Sequence, residues 1–178
     1  MSIYSDLRTA IRSGTCEVLR DFFPNPKTAP VIFSNSNGKE PAETYAVIEI
    51  RDIDQLSQSY RSTLSNKANE LTIQSMYEVD VRFTFIGSGS GDIAYSFQNR
   101  VGNTPASSET YRKNKLGFMR KNNITHIPQK RETQWIDSHN ITVTFSYLVN
   151  TQQIVDVIDS VELTDELTGK IYTFDLTH

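Results

Sequence analysis

Two stretches of strict apolar–polar alternation limit what this chain can build. In the first, Tyr77, Val79, Val81, Phe83 and Phe85 share one side, and Glu78, Asp80, Arg82 and Thr84 take the other. In the second, Ile141, Val143, Phe145, Tyr147 and Val149 alternate with Thr142, Thr144 and Ser146. A period of two belongs to a strand with one buried face. Two such strands predict a sheet covered on one face and wetter on the other. A long helix at the start of the chain can supply that cover. Over the first 23 residues, Ile3, Leu7, Ala10, Ile11, Gly14, Val18 and Phe22 recur at three- and four-residue steps, which predicts an amphipathic helix. Ser2 or Ser5 is placed to cap its start, and the prolines of "FFPNPKTAP" end it.

A short apolar strand, Val31 to Phe33, comes next, followed by the turn-rich "SNSNGKEPAE". The segment 44–53, "TYAVIEIRDI", has the β-branched and aromatic content of a strand. Between it and the strand ending at Phe85 lies the polar segment 54–72, "DQLSQSYRSTLSNKANELT". That is long for a hairpin turn, so it reads as a functional or disordered loop, or as an extended two-stranded arm. The last 20 residues predict a hairpin, with Val161 and Leu163 before an "ELTG" turn and Ile171, Phe174 and Leu176 beyond it. The reading is therefore α+β. It is a single domain with a mixed or mainly antiparallel sheet, helices packed on one face, a long polar hairpin insert and a C-terminal hairpin. Its core spans about 3–150 and its extension about 155–178.

"FIGSGSGD", residues 85–92, asks whether the chain cradles a phosphate. Gly87, Gly89 and Gly91 read G-x-G-x-G, one residue short of the dinucleotide fingerprint, and no Lys-Ser/Thr pair follows as a phosphate loop requires. The glycines suffice as a strand-to-helix turn. Asp92 serves as the N-cap, and Ile93, Phe97 and Val101 form the apolar stripe of the helix. His126, His139 and His178 lack the tight spacing of a zinc motif. "EIRDID" and "DVIDSVELTDE" lack the spacing of a calcium loop. No serine or cysteine sits in a nucleophile motif. Cys16 reads as a small core residue in a reducing compartment. Trp135 reads as a core or interface anchor. No apolar signal core or membrane-span pattern is present, so a soluble cytoplasmic product is expected.

The net charge of −3 argues against a dedicated nucleic-acid binder. Its distribution is uneven. Arg112, Lys113, Lys115, Arg120, Lys121, Lys130 and Arg131 fall in a stretch without one acidic residue, whereas 156–175 holds six acidic residues and one lysine. Two solvated faces account for this. So does a contact between the two surfaces, or with neighbours of opposite charge.

The order of parts is a helix, a hairpin with a polar insert, "YEVDVRFTFIGSGSGDIAYSFQNRV", a basic irregular stretch and "WIDSHNITVTFSYLV". This order resembles the neck and tail-terminator proteins of tailed bacteriophages, over roughly residues 3 to 150. The resemblance implies a structural virion protein without catalytic residue, metal or cofactor. It implies a ring, commonly of six subunits, that sits on the last ring of the tail tube, stops its growth and presents a surface to the head connector. The implied partners are further copies of the chain, the tail tube protein, the head–tail connector and the tail sheath. DNA passes through without being read. The implied place is the virion neck, with assembly in the host cytoplasm. The candidate contact residues are Gln55, Gln58, Tyr60, Arg61, Asn66 and Lys67 in the insert, Arg112, Lys113, Lys115, Arg120 and Lys121 in the basic stretch, and Asp156, Asp159 and Glu162 in the acidic one. Two alternatives are another connector or tube component, and a small nucleotide binder using the glycine turn.

Overall fold

A computed structural model of the chain describes residues 3–22, 30–38, 40–56, 61–65, 70–131, 133–154 and 160–175. The chain divides into two compact units. The first is Met1–Gln58 with Ser75–Val149, and the second is Ser59–Gln74 with Asn150–His178.

The first unit holds α1 (Ile3–Val18), β1 (Val31–Phe33), β2 (Tyr45–Gln55), most of β4 (Glu70–Ile86), α2 (Ser90–Arg100) and α3 (Pro105–Lys113). It continues with β5 (Leu116–Lys121), β6 (Thr125–His126), β7 (Gln129–Arg131), β8 (Gln134–Ile136) and most of β9 (Ser138–Ile154). The main sheet has seven strands, in the order β1-β2-β4-β9-β5. β3 (Arg61–Ser65) also pairs with β4, and β6 with β9. β1 runs parallel to β2, while β2 and β4 are antiparallel, as are β5 and β9. The fold is α+β with a mixed sheet.

One face of that sheet carries the core. Val79, Val81, Phe83 and Phe85 of β4 are fully buried, as are Val143 and Phe145 of β9. The ring of Phe97 from α2 sits 4.7 Å from that of Phe83 and 5.6 Å from that of Phe85. Tyr111 of α3 stands 4.9 Å from Phe145. Leu7 and Ile11 of α1 complete the cluster. Each fully buried aromatic or aliphatic side chain contributes about 1.5–3 kcal/mol. The opposite face is tied by polar pairs: Arg82 to Glu49 at 3.5 Å, Arg120 to Glu78, and the Thr144 hydroxyl to Asp80 at 2.5 Å. Gly14 explains how close α1 and α3 lie. A Cβ there would stand 2.6 Å from the Tyr111 ring.

Four features depart from the sequence reading. α1 stops at Val18, short of Phe22, and Arg100 of α2 closes that end: it donates to the Val18 carbonyl, pairs with Asp21 and lies over the Phe22 ring. α2 begins at Ser90 behind Gly89, so Asp92 lies in the first turn and does not cap the helix. The basic stretch, read as irregular, contains the end of α3 and β5 through β7. The insert takes the form of an arm in its described part: β3 pairs antiparallel with β4, Arg61 opposite Gln74 and Ser65 opposite Glu70.

Truncating the contact that seats α2 should be costly. Phe97→Ala is expected to lose about 3–5 kcal/mol, and Gly14→Ala about 1–3 kcal/mol through overpacking against Tyr111. Tyr95→Ala, at an exposed position of the same helix, should stay within about 0.5 kcal/mol. Urea unfolding of the three variants checks this ranking.

Candidate assembly surfaces

The glycine turn is built for geometry. Gly87 (φ 114°) and Gly89 (φ 73°) occupy the left-handed region, which side chains with a Cβ avoid. The Gly87 N–H donates to Asp137 O at 3.0 Å, and the Thr44 hydroxyl to Ser88 O at 2.7 Å. Gly91 lies under the His139 ring, where a Cβ would come within 3.3 Å. The turn thus joins β4 to α2 while holding β8–β9 against it.

This seats a polar cluster that sequence spacing does not show. His139 of β9 lies opposite His126 of β6, and their rings stack at 4.6 Å and 20°. His126 Nε2 reaches Asp137 Oδ1 at 3.4 Å, and Ser90 Oγ is 3.0 Å from His139 Nδ1. A Ser–His contact invites a nucleophile reading. Ser90 is only 1% exposed, however, and the carboxylate contacts the other histidine, so neither substrate access nor base orientation is provided. Among the described residues no cluster of His, Cys, Asp and Glu is arranged to hold a metal ion. Cys16 is buried, and burial pushes its thiol pKa up, which suits packing rather than reactivity.

Beyond the histidines the chain forms a strap. The Ile127 N–H donates to Ser138 O at 2.9 Å, and β7 and β8 pair with Lys130 opposite Trp135. Trp135 is 69% exposed, so its core reading fails. It stands on a three-residue strand that pairs with β7 and not with the main sheet.

The basic candidates separate into two sets. Arg112, Lys113 and Lys115 form an exposed knuckle at the end of α3, with Lys113 3.5 Å from Glu109 one helical turn back. Lys115 takes φ 60° there, and its N–H donates to Arg112 O. Arg120 is held by Glu78, and Lys121 Nζ donates to Gln98 O and Val101 O at the end of α2. Those two are tied within the chain, Lys121 as a C-terminal cap. Among the insert candidates, Gln55 is exposed on β2 and Arg61 begins β3. Gln58, Tyr60, Asn66, Lys67, Asp156 and Asp159 lie outside the described residues.

In the second unit, β10 (Ser160–Thr164) and β11 (Ile171–Asp175) form the C-terminal hairpin. Glu162 is exposed on it, opposite Thr173. Asp165 organises the turn: its side chain accepts from the Leu167 N–H at 2.9 Å and from the Thr168 hydroxyl, and its carbonyl accepts from the Gly169 N–H at 2.7 Å. The Thr168 bond, then the Leu167 bond, holds the Asp165 carboxyl below its ordinary pKa. Val161, Leu163, Ile171 and Tyr172 are nonetheless exposed, and Leu167 at the tip is 97% so.

Among the described residues each unit carries exposed elements of its own, the strap and knuckle in the first and the hairpin in the second. The family model of phage neck terminator proteins matches residues 2–170. The chain belongs to that family. No curated protein sequence matches it. As a phage neck terminator protein it is a structural component of the virion's tail and neck. No helix among its described residues is long and apolar enough to cross a membrane.

The histidine cluster gives the protein a pH dependence with a defined sign. Burial, then the charge of His126, lowers the His139 pKa, with Asp137 opposing. The unfolded chain therefore binds the His139 proton at higher pH than the folded chain does. Stability is full above the ordinary histidine value of 6.5 and falls as pH drops through it. Thermal unfolding between about pH 7.5 and 5.5 should show a falling midpoint, and His139→Gln should flatten that slope. An unchanged slope would assign the effect elsewhere.

Proposed function

We propose that this neck terminator assembles as a homo-oligomeric ring, a hexamer, on the last ring of the tail tube. There it ends tube growth and presents a surface to the head–tail connector, with the tail sheath as a further neighbour. The carrying observation is the family match over residues 2–170. DNA crosses the ring without being read, as suits a chain of net charge −3. Assembly takes place in the host cytoplasm. Its work is structural, without catalysis or cofactor.

A ring is closed by head-to-tail contacts in which two different patches of one subunit meet. The knuckle of Arg112, Lys113 and Lys115 and the acidic stretch with Asp156, Asp159 and Glu162 are such patches, opposite in charge. The arm of residues 54–72 reaches an adjacent subunit or the tube.

Averaged images of tail ends should show six copies around a channel. A single copy, or a two-fold dimer without a channel, would refute the ring. Assembly should weaken with salt without dissolving. Exposed charges are screened within about 10 Å at 0.1 M, and each exposed pair contributes about 0.2–1 kcal/mol. Hydrogen exchange should show 54–72 better protected in the assembly than in the free subunit; equal protection removes the arm's role. Calorimetric titration with ATP, GTP and NAD should give no binding heat, and micromolar binding would revive the nucleotide alternative.

A further inference from the structure

The outer face of α1 carries two parallel rows of side chains spaced by one helical turn, Tyr4-Arg8-Arg12 and Ser5-Thr9-Ser13. Beside the long arginines the short hydroxyl side chains leave a trough. Phe33 of β1 borders it, and together they form an open groove of about 470 Å3 within the first unit. We propose that this groove docks an acidic segment of another protein of the virion neck, held in extended form with its carboxylates on Arg8 and Arg12. The groove lies on one subunit, so the inference goes beyond the ring reading and does not depend on the number of copies.

Both guanidinium groups are placed for a partner. Arg8 lies over the Phe33 ring at 4.2 Å and over the Tyr4 ring at 5.8 Å. Stacking holds the guanidinium plane and leaves its N–H edge for a bidentate acceptor. Arg12 stands exposed one turn further on. Among the described residues no carboxylate pairs with either, whereas Arg82, Arg100 and Arg120 each meet one. The acidic residues of α1 are engaged elsewhere. Asp6 is near enough to Tyr147 of β9 to push its pKa up, after burial. Glu17 lines a separate hollow with Arg20, Asp21 and Arg100. Acids are not scarce in this chain, at 21 against 18 basic residues, and still this pair of arginines is left unmatched.

Charge and spacing select the occupant. Arg8 and Arg12 stand about 6 Å apart along the helix axis. Alternate residues of an extended chain share one side and stand about 6.7 Å apart. Glu or Asp at every second position therefore meets both arginines. The Thr9 hydroxyl is spent on Ser5 O at 3.0 Å, while the Ser5 and Ser13 hydroxyls line the groove as further donors. A nucleic-acid strand is the poorer fit. Two arginines neutralise two phosphates, where proteins that hold DNA tightly neutralise about 6–10, and the chain's net charge is −3.

The probe is a fluorescein-labelled peptide that alternates glutamate with serine, titrated with the full chain and read by anisotropy at two salt concentrations. The expected result is binding that weakens as salt rises and is lost with the matching glutamine peptide. Arg8→Gln with Arg12→Gln should weaken it about tenfold, with circular dichroism reporting whether the variant keeps its fold. Arg12→Gln alone, at an exposed position, should weaken it less and leave the fold intact. Arg8→Lys with Arg12→Lys keeps the charge without the planar fork, and should restore only part of the binding. Arg112→Gln with Lys113→Gln, on the knuckle, should bind the peptide as the native chain does. Absence of peptide binding overturns the proposal. So does binding that survives loss of both groove arginines, or that the knuckle variant loses. An oligothymidylate of equal length that binds more tightly through the same arginines overturns it as well, and makes the groove a nucleic-acid site. None of these outcomes touches the ring, which the images of tail ends decide.

Discussion

One-sided burial of β4 and β9 is the constraint on which the first unit depends. Five aromatic rings, Phe83, Phe85, Phe97, Tyr111 and Phe145, meet on that face. The helices have to lie where those rings are. α2 is placed by Phe97, α3 by Tyr111, and α1 by the gap that Gly14 leaves for the Tyr111 ring. Secondary contacts follow from that placement. Arg100 can close the end of α1, and Lys121 the end of α2, because the sheet has already brought those ends within reach.

The polar side of the same strands does different work. Its charges pair along and across the sheet: Arg82 meets Glu49 on the neighbouring strand, and Arg120 of β5 reaches over β9 to Glu78 of β4. The knuckle at the end of α3 faces solvent as the Arg120 side chain does, with Lys113 near Glu109 on its own helix. A stretch that is uniformly basic in sequence is thus part scaffold and part surface. For a neck terminator the distinction matters, because a neighbour that took up Arg120 or Lys121 would have to break contacts inside the subunit.

The glycine turn shows how a local pattern can be read correctly and incompletely. Positive φ at Gly87 and Gly89 was legible as a turn. That Gly91 clears room for His139, and that His139 then stacks on His126, depends on β6 pairing with β9. Nothing in the spacing of the two histidines encodes that pairing. α3 also carries a local signal: Thr104 followed by Pro105 marks a helix start, and Glu109 with Lys113 supports its exposed face.

By itself the sequence determined the α+β class, the two alternating strands, the first helix, the turn at 87–91 and the C-terminal hairpin, because each rests on local periodicity or on backbone freedom. Its resemblance to phage neck terminators was also in the order of those parts, and the family match bears it out. The tertiary structure decided what local chemistry cannot. It ended α1 at Val18, where Arg100 closes the helix, moved the start of α2 to Ser90, and put Trp135 in solvent. It also paired the exposed Arg120 with Glu78 and set Lys121 on the end of α2, while Arg112 and Lys115 stand exposed at the end of α3. The physical reason is common to all of these. A side chain's exposure and partners are set by which strands pair and in what register, and those are long-range choices fixed by burial of the whole face.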